Sequence, residues 1–337
     1  MMAMEQAVLD VVQDPVDLEM VLKTCLEKDD LHRFLRRVLG NGGIFAPVAI
    51  WRKRRKILVP AFSPKILDNF VEIFSDQSEI LAARLGECVG RGKVCLWPYI
   101  STYTLDAVCD LGSYQNQTFL DHLIRLSGGE KGYNNIELRE EVLTLTIAGT
   151  DTSAVAIGYT LKLLGMYPKI QEKVVQEMQE VFGDSDRPLV KDDLLKLKYL
   201  ERVVKESLRL FPPVPFIIRK VLQDIILPSG IVLPAGSGIV VSIWGIHRDP
   251  KYWGPDAECF DPDRFAPERF KLLPPCSYMP FSSGPRNCVV KTALSTILRR
   301  YKIVAAAESG PIPHIKSKID IMMKATDDYE VVLEKRD

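Results

Sequence analysis

The chain has 337 residues, ample for a large core and by size alone about two domains. Apolar residues make up 47% and charged ones 26%, an ordinary globular balance, and 44 basic residues stand against 44 acidic ones, which excludes the positive footprint of a nucleic-acid binder. Seven cysteines (Cys25, Cys88, Cys95, Cys109, Cys259, Cys276 and Cys288) are odd in number and form no Cys-x-x-Cys pair, so most are expected to be buried thiols in a reducing compartment. Residues 1–14 carry acidic groups and no Lys or Arg, unlike a signal peptide, and no apolar run approaches the ~18 residues a membrane span needs.

Residues 17–39 read as one helix, with apolar positions at Leu18, Val21, Leu22, Cys25 and Leu26 and later at Leu31, Phe34 and Leu35, until Asn41-Gly42-Gly43 breaks it. Residues 50–56 hold the run Trp51-Arg52-Lys53-Arg54-Arg55-Lys56, which alone reads as a solvated face or a nucleic-acid patch. Residues 70–85 and 99–111 are amphipathic helices. Asn116-Gln117-Thr118 has the form of a glycosylation sequon, with no secretion signal beside it.

The longest helical reading is 135–164. It contains Ala148-Gly149-Thr150-Asp151-Thr152, where the glycine and the hydroxyls weaken the ladder. That is either a buried polar kink or a local opening able to hold water. Residues 168–182, 190–197 and 199–210 are three further helices, the last ending at Phe211-Pro212-Pro213. Glu206 and Arg209 share its face at i, i+3, a pair worth about 0.5 kcal/mol on a surface.

Residues 216–227 and 231–233 read as a hairpin around Pro228-Ser229-Gly230, and 239–242 as the start of a helical stretch ending near His247, a structural hydrogen-bonder. Residues 319–323 and 329–333 read as a last hairpin. Between them, Pro280-Phe281-Ser282-Ser283-Gly284-Pro285-Arg286-Asn287-Cys288 is a tight irregular loop opening a helix over 290–301. A Cys at a helix N-terminus, two residues after Arg286, sits in positive potential that favours the thiolate, a nucleophile or metal ligand.

That loop resembles the Phe-x-x-Gly-x-Arg-x-Cys cysteine loop of the haem-thiolate monooxygenases, the cytochrome P450 superfamily, in wording most similar to insect members of the clan that includes fatty-acid ω-hydroxylases. The Ala-Gly-x-Asp-Thr, Glu-x-x-Arg and Phe-x-Pro-x-Arg-Phe segments (148–152, 206–209 and 260–265) and Trp51-x-x-x-Arg55 resemble further motifs of that family. The resemblance implies a mainly α fold with a small β subdomain, a truncated cytochrome P450 fold. It implies a single domain over 1–337, helical over roughly 15–212 and 287–303 and β-rich over roughly 213–285 and 304–337. It implies haem as cofactor, with Cys288 as iron ligand, Trp51, Arg55, Arg219 and Arg286 at the propionates, and Asp151 and Thr152 as proton carriers. Glu206, Arg209 and Arg264 would form a buried structural group. Ala148 stands where the subgroup often has a Glu that can esterify the haem, so non-covalent haem is expected.

The implied function is oxygenation of a hydrophobic small molecule by a monomer at the cytosolic face of the endoplasmic reticulum membrane. Electrons would come from NADPH–cytochrome P450 reductase, with cytochrome b5 as a further donor, and Lys291, Arg299, Arg300 and Lys302 would be a basic docking face. Set against the family pattern, the chain lacks the anchor, the distal lid after Gly112 and a block after Val289, where Val290 replaces a Gly. The alternative is a truncated remnant that binds haem, or no haem, with little or no activity.

Overall fold

The computed structural model describes residues 9–29, 36–37, 39–59, 64–109, 132–280, 288–305, 310–320 and 322–336. The sequon and residues 281–287, Arg286 included, lie outside this set. The described helices are α1 (Pro15–Thr24), α2 (Val48–Leu58), α3 (Pro64–Gly86), α4 (Trp97–Cys109), α5 (Asn135–Met166), α6 (Pro168–Phe182), α7 (Lys191–Leu194), α8 (Lys198–Leu210), α9 (Ile243–Ile246), α10 (Pro250–Trp253), α11 (Pro267–Phe270) and α12 (Cys288–Arg300). The strands are β1 (Leu9–Val12), β2 (Lys93–Val94), β3 (Phe216–Lys220), β4 (Ile225–Ile226), β5 (Val232–Leu233), β6 (Gly238–Ser242), β7 (Tyr301–Val304), β8 (Ser317–Asp320), β9 (Met322–Ala325) and β10 (Val331–Lys335). The fold is mainly helical with small sheets, as expected.

α5 is the axis. Its start is fixed by a capping box in which Asn134 accepts from the Glu137 N–H at 2.9 Å and Glu137 accepts from the Asn134 N–H at 3.0 Å. Its C-terminal half is buried on nearly every side, all residues from Ala154 through Leu164 except Lys162, which explains why that stretch shows no apolar stripe. Gly158 is required here: a Cβ would lie 2.7 Å from the Tyr329 ring. Tyr329 in turn meets Tyr159 edge-on at 5.1 Å, and Tyr159 stacks on Phe211 at 4.6 Å. One core joins α3, α4, α6, α8 and α12 to this helix and to β7 and β10.

A second, smaller core lies under a three-stranded sheet in the order β1-β6-β3, in which β6 pairs parallel with β1 and antiparallel with β3. It takes in Leu18 and Val21 of α1, then Cys25, with Cys276 and Met279 packed against it.

Several sequence expectations are corrected. α1 stops at Thr24, where Cys25 leaves helical geometry (φ −90°, ψ 76°) and buries its thiol. Residues 238–242 are strand, not helix; Ile239 and Val241 are fully buried and only the four residues after Ser242 turn helical. The 216–233 segment splits: β3 joins β6, and only β4 and β5 form a hairpin. The C-terminal strands split likewise, β8 pairing with β9 while β10 lies between β2 and β7. The thiols are less buried than expected, Cys25 and Cys88 being buried and Cys95 and Cys109 exposed.

Candidate functional site

α8 presents its apolar side to the main core and carries Glu206 and Arg209 inward with it, both side chains 0% exposed. Arg209 grips Glu206 with two parallel bonds, Nε to Oε2 at 2.7 Å and Nη2 to Oε1 at 2.8 Å. Its remaining donors reach the carbonyls of His247 at 2.7 Å, Ala257 at 2.6 Å and Cys259 at 3.1 Å. Arg264 places Nε 3.6 Å from Glu206 and donates to the Trp253 carbonyl at 2.7 Å. Burial pushes the Glu206 carboxyl up, and Arg209 and Arg264 pull it back. The group braces α8 against the segment that runs from α9 to Phe265.

His247 is buried beside it. The Arg209 carbonyl, 3.2 Å from Nδ1, can only accept, so Nδ1 carries the proton. Nε2 then accepts from the Met279 N–H at 2.8 Å. This ring therefore holds the chain one residue before Pro280, where the cysteine loop begins. Burial and the nearby Arg209 lower its pKa from 6.5 to about 3. Below about pH 6.5 the unfolded chain takes up a proton that the folded one refuses until about 3, so stability falls as pH falls through that window, by at most ~1.4 kcal/mol per unit. Denaturant melts between about pH 6.5 and pH 4 will show this loss, and His247→Gln, weaker near neutrality, will show a shallower slope.

The Ala148–Thr152 stretch stays helical throughout. The Thr152 hydroxyl donates to the Ala148 carbonyl at 2.5 Å, the back-bond that a helical Thr makes. Asp151 lies 3.3 Å from the Lys324 ammonium, which also sits 4.0 Å above the Trp97 ring. The Thr150 hydroxyl is buried without a hydrogen-bond partner. α4 comes close here, since a Cβ on Gly149 would lie 3.1 Å from Val108.

On α2 the Arg55 guanidinium stacks over Trp51 at 5.2 Å, and Arg55 is exposed. The buried cation of this helix is Arg54, which sequence reasoning missed. It pairs with Glu140 at 2.8 Å, Glu137 at 3.4 Å and Glu141 at 3.5 Å, tying α2 to the first turns of α5. The signal was present as three acids, Glu137, Glu140 and Glu141, in the first two turns of a helix, opposite a basic run. Arg219 on β3 is different. Its Nε and Nη1 are buried and have no hydrogen-bond partner among the described residues.

Cys288 begins α12, and its side chain lies outside the described set. The turn that follows is anchored by Tyr103, whose hydroxyl donates to the Val289 carbonyl at 3.1 Å. The expected docking face of Lys291, Arg299, Arg300 and Lys302 loses Lys291, which is buried. The Lys291 ammonium is 7% exposed, donates to the Leu194 carbonyl at 2.5 Å and lies 3.3 Å from Glu201. Arg299 donates to the carbonyls of Ser185 and Arg187, Arg300 pairs with Glu79, and Lys302 pairs with Glu334. Lys291 is drawn inward because α12 runs through the interior, with Val290, Ala293, Leu294, Ile297 and Leu298 all buried.

A negatively charged group with carboxylates suits what is left open. Arg219 offers unused buried donors, and desolvated donors of this kind want an anion. An open cleft of ≈ 510 Å³ between Phe216, Trp244, Arg248 and Met323 includes none of the expected site residues.

The family model described as Cytochrome P450 matches residues 2–112 and 110–331. "Cytochrome P450 4c3" of Drosophila melanogaster is 31% identical over 397 residues, covering 87% of this chain and 74% of that protein. "Cytochrome P450 4V2" of Homo sapiens is 30% identical over 375 residues, covering 82% and 71%. Both alignments are longer than this chain, so they cross positions where the relatives carry residues and this chain has none. A crystal structure of a cytochrome P450 superposes with a TM-score of 0.84 at 22% identity, covering 97% of this chain and 89% of that one.

Proposed function

Since the chain belongs to the cytochrome P450 family, whose members bind haem and are monooxygenases, we propose that it takes NADPH-derived electrons to insert one oxygen atom of O2 into a hydrophobic small molecule. Haem, when bound, supplies the activation of dioxygen, and a thiolate ligand pushes electron density toward O–O cleavage. Cys288 is our assignment for that ligand. Arg219, with Trp51, Arg55 and Arg286, is assigned to the propionates.

The observation that carries this reading is Arg219, a strand arginine with two buried donors, Nε and Nη1, that find no acceptor among the described residues. Asp151 and Thr152 are assigned to proton movement. With its own proton on the Ala148 carbonyl, the Thr152 oxygen keeps lone pairs able to accept a hydrogen bond from water. Asp151 is held at Lys324 and would have to leave that pair to pass a proton on. Glu206, Arg209 and Arg264 are assigned to structure, not chemistry.

On the same reading the chain is one domain and a monomer, and it takes electrons from NADPH–cytochrome P450 reductase with cytochrome b5 as a further donor. The endoplasmic reticulum membrane is the proposed location. No described helix is long and apolar enough to cross a membrane. The missing alignment positions and the buried Val290 after Cys288 favour a second reading, haem binding without turnover. One experiment separates the two. The purified chain is loaded with hemin, reduced under carbon monoxide, then given NADPH and reductase. A thiolate-type Soret band with oxygenated product supports the first reading, the band without product supports the second, and no haem absorbance overturns both.

A further inference from the structure

The segment after α1 is where three parts of the expected cofactor site meet. The Glu27 carbonyl accepts from the Lys220 N–H at 3.0 Å, and Lys28 forms an isolated antiparallel bridge with Arg219, so the segment runs beside β3. The Glu27 carboxylate accepts from the Val48 N–H at 3.1 Å, the first residue of α2, which carries Trp51 and Arg55. Beneath lies Cys25, in the same small core that Met279 packs against on the way to the cysteine loop. Lys28 therefore stands between Arg219 and the start of α2.

Among the described residues no carboxylate pairs with Lys28, and the charge acting on it is another cation, its bridge partner Arg219. Burial and that neighbour lower its pKa to about 7, against an ordinary value of 10.5. Two adjacent, partly buried cations that no described carboxylate offsets are unfavourable, and the fold keeps both. Such an arrangement is rational if an anion arrives later.

We propose that Lys28 is a further binding residue of the cofactor site, giving a carboxylate of the bound porphyrin a second positive charge beside Arg219. This rests on the haem reading above. It makes an opposed pair of demands on one side chain. Removing a half-buried charge that faces another cation relieves the empty chain, whereas removing an ion-pair partner weakens the loaded one. A residue kept for structure alone would not behave so.

The test titrates the purified full-length chain with hemin and with hemin dimethyl ester, which lacks the carboxylates, and measures the denaturant stability of the haem-free protein. Lys28→Met should leave haem-free stability equal or higher, weaken hemin about tenfold or more, as loss of a charge-assisted bond does, and leave the ester unchanged. Lys28→Arg should restore hemin affinity. Equal hemin affinity in Lys28→Met overturns the proposal, as does a variant that is less stable and binds hemin and its ester equally poorly. If the unaltered chain takes up no hemin, the haem reading itself fails and this one falls with it; if it does and Lys28→Met matches it, only the role of Lys28 is lost.

Discussion

Replacing Arg209 with Ala will remove soluble folded protein, not merely slow a reaction. The guanidinium is fully buried and uses its fork on Glu206 and on three carbonyls, and it lies 5.0 Å from the Trp253 ring. Cutting it away leaves the Glu206 charge without its closest partner. Arg264 stays at 3.6 Å, but its other nitrogens are committed to Trp253 and Asp256. Breaking a buried pair on one side costs about 3–5 kcal/mol, and each orphaned buried carbonyl about 1–3 more. A typical domain has about 5–15 kcal/mol in all. Arg209→Lys is expected to fail nearly as badly, because one ammonium cannot span the carboxylate and the carbonyls of His247 and Ala257 together. The double variant Glu206→Leu with Arg209→Leu should recover part of the yield over Arg209→Ala, since no charge is stranded. Soluble yield and circular-dichroism melts decide it. A normal yield of cooperatively melting Arg209→Ala protein would mean the buried ion pair is not what secures this side of the fold.

What the sequence could and could not convey follows from the range of the forces involved. α6 was legible to the residue because Pro168 sets its first turn and Gly183, at φ 58°, ends it. α5 was legible as the longest helical reading, 135–164, although much of its buried half shows no apolar stripe. β6 was read as helix because Gly-Ile-Val-Val-Ser shows no polar alternation; Ile239 and Val241 face the core while Val240 between them is also apolar, and the β-branched residues were the cue to weigh. The pairing of β3 with β6, across an intervening hairpin, is tertiary and leaves no local trace. In the basic run, spacing could place Trp51 and Arg55 on one face, but not tell that Arg54 is the one drawn inward by Glu137, Glu140 and Glu141. Lys291 misled for the same reason: a charge in a helix is read as solvated until its acceptors, here the Leu194 carbonyl and Glu201, come into view from elsewhere in the chain. The buried Glu206–Arg209 pair was readable as a motif, while the carbonyls that satisfy it belong to a loop whose path no local rule specifies.

The Cys288→Ala variant is expected to lose its thiolate-type spectrum entirely and to keep its fold. The chain on either side of the sulfur is held by groups that do not involve it. Before the loop, His247 accepts from the Met279 N–H. After it, Tyr103 donates to the Val289 carbonyl while itself accepting from the Ser78 hydroxyl at 3.1 Å. Val290, Ala293 and Leu294 then bury the first turns of α12 in the main core. Removing one sulfur at a helix start disturbs none of these, so the haem-free melt should shift by no more than about 1 kcal/mol. The loaded protein is another matter. A Cys at the positive end of α12 is favoured as thiolate, and Ala has nothing to offer iron. Hemin held only through its carboxylates should still bind, more weakly, with a spectrum lacking the thiolate signature after reduction under carbon monoxide. Cys288→His should give a different, nitrogen-ligated spectrum at the same position. If Cys288→Ala kept the thiolate-type band, another of the seven cysteines would be the ligand, and the exposed Cys95 and Cys109 would be the next to replace.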